Sequence, residues 1–362
     1  MTSAAGPELL LSIESTCDET AAAVIRRDGT VLGQCIATQE TLHEQFGGVV
    51  PEIAARAHLE RILPVIDTAM NQANLRGEDL TAIAVADRPG LAGSLLVGVV
   101  AAKTLALAWN KPLIALNHLH AHLYACQLID GAPADIYPAI GLIVSGGHTS
   151  LYHCHTAIEL EYLGGTIDDA AGEAFDKVAA MLSLPFPGGI EVAKLAMQGN
   201  DQAYSFPRSM IHDPGDNFSF SGLKTAVRYA IAGPGRQDFS SLEISDEVKR
   251  DVCASFEAAV VDVLVAKCRR AIKRHRNRNA SNPNESSGGT KRLIVGGGVA
   301  ANSRLRRDLQ AAAEKDGFEL WIAPPHLCTD NAVMGAIAWK KFEAGQFAPL
   351  DLDITPGLQR GF

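Results

Sequence analysis

One plan occurs twice in this chain, and it restricts the fold more than any single motif does. Leu9-Leu10-Leu11-Ser12-Ile13-Glu14 reads as a strand, Ser15 to Thr20 as a polar turn, 21–26 as a second strand, Asp28-Gly29 as a hairpin turn and 31–38 as a third strand. Helical spacing follows at 51–74, where Ile53, Ala54, Ala57, Ile62, Val65, Ile66 and Ala69 share one side. Near residue 138 the plan restarts. An apolar strand at 139–144 leads into the turn Ser145-Gly146-Gly147-His148-Thr149, a returning strand at 150–154, a third strand at 158–163 and then helices. A three-stranded antiparallel meander running into strand–helix alternation is the signature of an α/β domain. Its repetition marks a structural duplication, with a boundary near Gly131 to Tyr137. The 362 residues are enough for two such domains, expected over 8–131 and 138–345.

The remaining elements fill in that frame. A buried strand is expected at 82–86, a long apolar helix ending near Trp109 and capped by Ser94, and a strand at 112–116. In the second half an acidic helix start, Asp168 to Lys177, continues to Leu182, and Pro185 to Gly189 forms a rigid turn. Helices are expected at 222–231, 246–274 and 302–314, strands at 292–295 and 320–323, and a last helix at 332–343 capped by Thr329-Asp330-Asn331. Asn277 to Thr290 has no apolar residue except Ala280 and reads as a disordered or loop insertion.

Composition narrows the class. At 47% hydrophobic and 20% charged the chain has the balance of a soluble globular protein, and no run approaches the ~20 apolar residues of a membrane span. Its start has no basic segment ahead of the short run Leu9 to Ile13, so it is not read as a signal peptide. Seven scattered cysteines with no CxxC pairing point to reduced thiols and a cytoplasmic location. The net charge of -9 gives the whole chain no basic footprint for nucleic acid. Lys267, Arg269, Arg270, Lys273, Arg274, Arg276 and Arg278 form one local exception. They read either as a helix end favoured by its dipole or as a surface for a phosphate backbone.

The densest chemistry lies in Asn117-His118-Leu119-His120-Ala121-His122-Leu123. On a helix His118 and His122, at i and i+4, fall on one face, a workable pair of imidazole ligands that a carboxylate could complete. The same spacing also fits a polar helix face. His120 points roughly 200° away from His118 and is expected at the surface. A zincin protease needs Glu directly after its first histidine, and this chain has Leu119.

Three turns look competent to meet a phosphate: Ser15 to Thr20, Ser145-Gly146-Gly147, and Gly296-Gly297-Gly298 directly after a strand. The last lacks both the Lys-Ser/Thr of a P-loop and GxGxxG spacing. Three such loops on a duplicated scaffold resemble the actin/Hsp70/sugar-kinase ATPase superfamily. That resemblance implies two duplicated RNase H-like domains with a nucleotide cleft between them. A sharper resemblance rests on eight motifs in order: Ser12 to Thr20 (SIESTCDET), Gly47 to Glu52 (GGVVPE), Asn117-His118 with His122, Val144 to His148 (VSGGH), Asp168 to Lys177 (DDAAGEAFDK), Phe218 to Lys224 (FSFSGLK), Gly296 to Asn302 (GGGVAAN) and Thr329-Asp330-Asn331. They are similar to those of the TsaD family, transferases that make N6-threonylcarbamoyladenosine beside the anticodon of tRNA, over almost the whole chain.

The resemblance implies a divalent metal on His118, His122 and Asp330, with Fe2+ favoured and Zn2+ also suited to two imidazoles and a carboxylate. It implies that Ile143, Val144, Ser145, Gly146, Gly147, Asp176, Gly189 and Asn302 hold threonylcarbamoyl-AMP, whose acyl group passes to N6 of adenosine 37 in tRNAs reading codons that begin with A, releasing AMP. Taken alone, Asp176 would read as a helix-surface aspartate, and Asp330 and Asn302 as helix caps. Asp18 is the candidate orienting carboxylate or general base. A paralogous subunit like the N-terminal domain (TsaB type) and a small ATPase (TsaE type) are the expected partners.

Two departures from the family pattern stand out. Arg88-Pro89-Gly90-Leu91 replaces Gly-Pro-Gly-Leu, so a glycine-dependent turn is expected to change. His120-Ala121 replaces Glu-Gly, so His120 offers an alternative metal contact. The competing readings are a small-molecule kinase or ATPase of the same superfamily, a metalloprotease, and a non-enzymatic scaffold.

Overall fold

A computed structural model describes residues 8–129, 131–133, 135–233, 243–278 and 289–357. The chain divides into two compact units. One comprises residues up to Pro133 together with those from Thr329 onward, the other Ala134–Cys328.

In the first unit β1 (Leu9–Glu14), β2 (Glu19–Arg26) and β3 (Val31–Thr38) form the expected meander. A short α1 (Glu40–His43) leads to α2 (Pro51–Ala73). Then β4 (Ala82–Arg88), α3 (Ala92–Ala108), β5 (Leu113–Asn117) and α4 (His118–Tyr124) follow. The sheet order is β3-β2-β1-β4-β5, with β4 and β5 parallel to β1. Leu9, Leu11 and Ile13 point to one face, where Ile62, Val65, Ile66 and Ala69 of α2 and Val99 and Ala102 of α3 close the core. Ser94 does not cap α3. Leu91 holds the N-cap position without a side-chain bond, and Ser94 lies buried inside the helix. Its hydroxyl donates to Cys17 O (3.1 Å), which puts it to work on the β1–β2 turn instead.

The second unit repeats the plan with β6 (Ala139–Val144), β7 (Thr149–Cys154) and β8 (Leu160–Gly165). Next come α5 (Ala171–Met181), α6 (Gly188–Ala196), α7 (Ser221–Ala232) and α8 (Asp246–Arg278). The unit ends with β9 (Arg292–Gly296), α9 (Ser303–Asp316), β10 (Glu319–Ile322) and α10 (Pro325–Cys328). Its order β8-β7-β6-β9-β10 equals that of the first sheet strand for strand, with the same antiparallel and parallel pairings. The same RNase H-like α/β arrangement is thus present twice. Helix α6 was not anticipated, because Pro185 to Gly189 reads as a turn; the proline at N-cap and the two following glycines in fact start a helix. Of the expected insertion, 279–288 lie outside the described residues, while Asn277 and Arg278 end α8.

The second domain does not run to 345. From Thr329 the chain belongs to the first unit, where a 3-10 turn (Val333–Ile337) and α11 (Ala338–Glu343) pack on β1, β2, α4 and β5. The reason is burial. Every residue of β1 is buried, so the face opposite Leu9, Leu11 and Ile13 also needs a cover. A Cβ on Gly335 would lie 1.9 Å from Ser12 Oγ, so only glycine lets the turn come this close.

Candidate functional site

The metal-competent cluster is built at the ends of β1, β5 and the returning segment. Asn117 ends β5 and caps α4, its Oδ1 accepting from Leu119 N (2.9 Å) and His120 N (3.3 Å). This cap starts the helix at His118 and aligns His118 with His122, whose rings meet edge-on with centroids 4.6 Å apart. Asp330 Oδ1 lies 3.4 Å from His118 Nε2 and 3.0 Å from His122 Nε2. Asn331, not Asp330, does the capping: its Oδ1 accepts from Met334 N (3.1 Å) and its Nδ2 donates to Thr329 O (2.7 Å). The Asp330 carboxylate is thereby left to the histidines.

Behind His118 stands Glu14, the last residue of β1. His118 Nδ1 lies 3.0 Å from Glu14 Oε2 and 3.1 Å from Thr16 Oγ1, and the other carboxylate oxygen accepts from Thr16 N (2.7 Å). A carboxylate behind an imidazole fixes its tautomer and raises its basicity, as is usual for metal ligands. His122 Nδ1, in contrast, is buried without a hydrogen-bond partner. Burial alone would lower the His118 pKa, but Asp330 and Glu14 hold it well above its ordinary value. Burial would raise the Asp330 carboxyl, and the two histidines hold it well below. The site therefore favours a positive charge between these groups. Two imidazole nitrogens and one carboxylate oxygen, all within 4.8 Å of one another, are a donor set that fits a divalent transition metal.

His120 is half-buried rather than at the surface. Burial, then Lys341 and Arg88, push its pKa down to about 4, and it is not one of the three clustered ligands. Arg88 closes β4 in extended pairing with β5 and forms an ion pair with buried Asp87 (2.6 Å). No glycine-specific conformation is lost there.

The turn after β1 presents Asp18 and is pinned from two helices. Ser15 Oγ donates to Ser94 O (2.9 Å), and His58 on α2 reaches Thr20 Oγ1 (2.7 Å) and Cys17 O (3.0 Å). Next to Asp18, burial followed by the charges of Asp330 and Asp18 pushes the Glu19 carboxyl up to about 10.

In the second unit Ile143 to Gly147, among the expected substrate residues, lie at the carboxyl end of β6, beside that of β9. Ile143 and Val144 are buried in β6, and Ser145-Gly146-Gly147 follow, with both glycines exposed. Ser145 N donates to His148 O (2.8 Å). Gly172 N and Glu173 N at the start of α5 donate to Ser145 O (3.2 Å) and Gly146 O (3.0 Å), so the loop also caps that helix. Beside it β9 delivers Gly297 at φ 96°, where a Cβ would lie 2.5 Å from Val144 O. Gly298 is exposed with open space around it. Loops leaving neighbouring parallel strands at this edge are the usual ligand position of open α/β sheets. Asp176 Oδ1 accepts from Gly188 N (2.9 Å) and Gly189 N (3.3 Å). Asn302 caps α9 through Leu305 N (2.9 Å) and donates from Nδ2 to Glu257 Oε1 (2.6 Å). Asp176 is thus a cap for α6 rather than a bare helix-surface residue. Asn302 is indeed a cap, with an amide hydrogen to spare.

The family model described as "tRNA N6-adenosine threonylcarbamoyltransferase", TsaD, matches residues 30–337. A protein of that name from Rhodopirellula baltica is 90% identical over 362 residues, all of both chains. One from Geotalea daltonii is 46% identical over 351 residues, 96% of each. The chain belongs to the TsaD family. Its activity is that of an acyltransferase that modifies tRNA at N6 of adenosine. The crystal structure of HypF from T. kodakarensis matches with a TM-score of 0.58 at 14% identity, over 94% of this chain and 48% of that one, a likeness of fold alone.

In this TsaD-family chain the basic cluster on α8 turns mostly inward. Lys267 is fully buried and donates to Gly215 O (2.7 Å). Arg274 pairs with buried Asp216 (2.5 Å), Arg269 with Asp316 (2.5 Å), and Arg270 bonds the carbonyls of Ile211 and Asp213. These cations hold the 211–217 loop and the end of α9 onto α8, while Lys273 and Arg276 stay exposed. Sequence reasoning passed over Glu14, Glu19 and Glu257. Glu14 carried a readable signal, an ionisable residue ending an otherwise buried strand. The environments of Glu19 and Glu257 arise only on folding.

Proposed function

We propose that His118, His122 and Asp330 hold one divalent metal, Fe2+ in preference to Zn2+, and that the second unit's glycine loops bind threonylcarbamoyl-AMP for transfer to N6 of adenosine 37. The observation that supports the metal reading is the sharing of one Asp330 oxygen by two Nε2 atoms, with Glu14 behind His118. The tRNAs would be those reading codons that begin with A, and the partners a TsaB-type paralogue and a TsaE-type ATPase in the cytoplasm.

Transfer forms a bond between N6 and the carbamoyl carbon, breaks the bond from that carbon to the phosphate oxygen, and releases AMP. The N6 amine is a weak nucleophile because its lone pair is delocalised into the ring, so positioning and proton removal carry much of the work. When bound, the metal supplies Lewis-acid stabilisation of negative charge. Backbone N–H groups of Gly146, Gly147 and Gly298 would bind the phosphate, approached through the space that their missing side chains leave. Ile143 and Val144 support that loop, while Asp176, Gly189 and Asn302 would orient ribose and base. Asp18, presented by the turn after β1, would accept the N6 proton.

A docking face for the paralogous subunit is supported by α2 and α3, which pack together. Leu59 and Leu63 on α2 are 66% and 62% exposed, and Leu96 and Val100 on α3 49% and 51%. Each pair is spaced i, i+4, so each helix presents an apolar stripe.

The test combines the protein, its partners, threonylcarbamoyl-AMP and unmodified tRNA, followed by nucleoside mass spectrometry and metal analysis. His118→Ala is expected to lose the metal and most of the product. Full activity in a metal-free His118→Ala protein would overturn the metal reading.

A further inference from the structure

A second group of ligand-type side chains lies in the second unit, outside the residues proposed to hold metal or substrate. His153 on β7 and Glu161 on the edge strand β8 are direct cross-strand partners. His155 follows His153 by two residues, the spacing that returns a side chain to the same face of a strand. Its backbone is held by the hairpin itself, with His155 N and Thr156 N both donating to Glu159 O (2.9 and 3.3 Å).

His153 Nδ1 and His155 Nε2 each lie 3.7 Å from Glu161 Oε2, and the two imidazole rings are 4.2 Å apart. At 3.7 Å these are not hydrogen bonds. The three donor atoms lie within 4.8 Å of one another. His153 is oriented from behind, its Nε2 lying 3.0 Å from the hydroxyl of buried Thr290. In the tautomer whose Nε2–H donates to Thr290, Nδ1 turns a lone pair toward the carboxylate, the arrangement that a bound cation would favour. A third imidazole, His275, packs on His153 with centroids 4.5 Å apart. It is 3% exposed, its Nδ1 donates to Ala271 O (2.9 Å), and its Nε2 lone pair has no hydrogen-bond partner. Neither His153 nor His155 hydrogen-bonds the Glu161 carboxylate that they face.

We propose that His153, His155 and Glu161 form a second transition-metal site, of the zinc class, that clips the β7–β8 hairpin at the edge of the sheet. Tetrahedral zinc with bonds of about 2.0–2.1 Å sets its ligand atoms about 3.3 Å apart, so each nitrogen needs to close on Glu161 Oε2 by only a few tenths of an ångström. His155 and Glu161 are about half exposed, which leaves the remaining position open to water or a further ligand.

The test is zinc titration of the full-length protein against a chromophoric chelator, with bound zinc counted after desalting. Wild type is expected to hold one equivalent more than the double variant His155→Ala, Glu161→Gln. Both substituted side chains are half exposed and outside the proposed catalytic machinery, so folding and tRNA modification should persist. His118→Ala should keep the second equivalent, which separates the two sites. Zinc should also raise the Tm of wild type more than that of the double variant. Equal zinc content and affinity in wild type and the double variant would overturn the site. So would binding only at millimolar zinc, the mark of adventitious surface histidines, or loss of the second equivalent in His118→Ala.

Discussion

The carboxylate of Asp330 lies 3.0 Å from Nε2 of His122, although 208 residues separate the two in the chain. The contact exists because the segment after Cys328 returns to cover the open face of the first sheet. Covering that face and completing the ligand set are one event, so the cluster assembles only when the first unit is folded.

Glu14 should act on metal affinity rather than on chemistry. Glu14→Gln keeps the shape behind His118 but removes the charge, and metal affinity is expected to fall roughly 10–100-fold. Activity should recover at saturating metal. A fall in Tm with unchanged affinity would mean that Glu14 only supports the strand end.

Glu19 predicts a pH dependence. Its carboxyl is raised from 4.5 to about 10 on folding, so the folded state takes up a proton and stability declines as pH rises between these values. In metal-free protein Glu19→Gln removes this contribution. The variant's Tm advantage over wild type should therefore grow from about pH 5 to about pH 9. A constant difference would show that Glu19 is ionised in the folded chain.

The α8 cations are expected to matter for stability and little for tRNA. Arg274→Ala strands the Asp216 carboxylate, which is 6% exposed, and should cost about 2 kcal/mol in denaturant unfolding. Filter binding at low salt should give an unchanged tRNA affinity. A large loss of affinity at unchanged stability would restore these residues as a phosphate-contact surface.

Neighbouring glycines should separate fold from function. Gly297→Ala places a Cβ against Val144 O at a left-handed φ, and a stability loss of about 1–3 kcal/mol is expected. Gly298→Ala meets open space and should leave the Tm unchanged while raising KM for the adenylate. Equal Tm values for both variants would contradict the close approach.

What the sequence determined by itself was local and periodic. The two meanders, α2, the glycine turns and the pairing of His118 with His122 depend on neighbours within a few residues, and alternation or helical spacing exposes them directly. Burial imposed from a distance was decided only by the tertiary structure. Ser94 reads as a cap and becomes a buried donor to Cys17 O, because α3 packs onto the β1–β2 turn. His120 reads as surface on a helical wheel, yet Lys341 and Arg88 from other elements lie near it. Lys267, Arg269 and Arg274 read as part of one charged face until the 211–217 loop and Asp316 fold against them. The assignment of residues 329–345 turned on the same physics. A helical pattern says that a segment has an apolar side, and only the packed sheet says which uncovered face that side will meet.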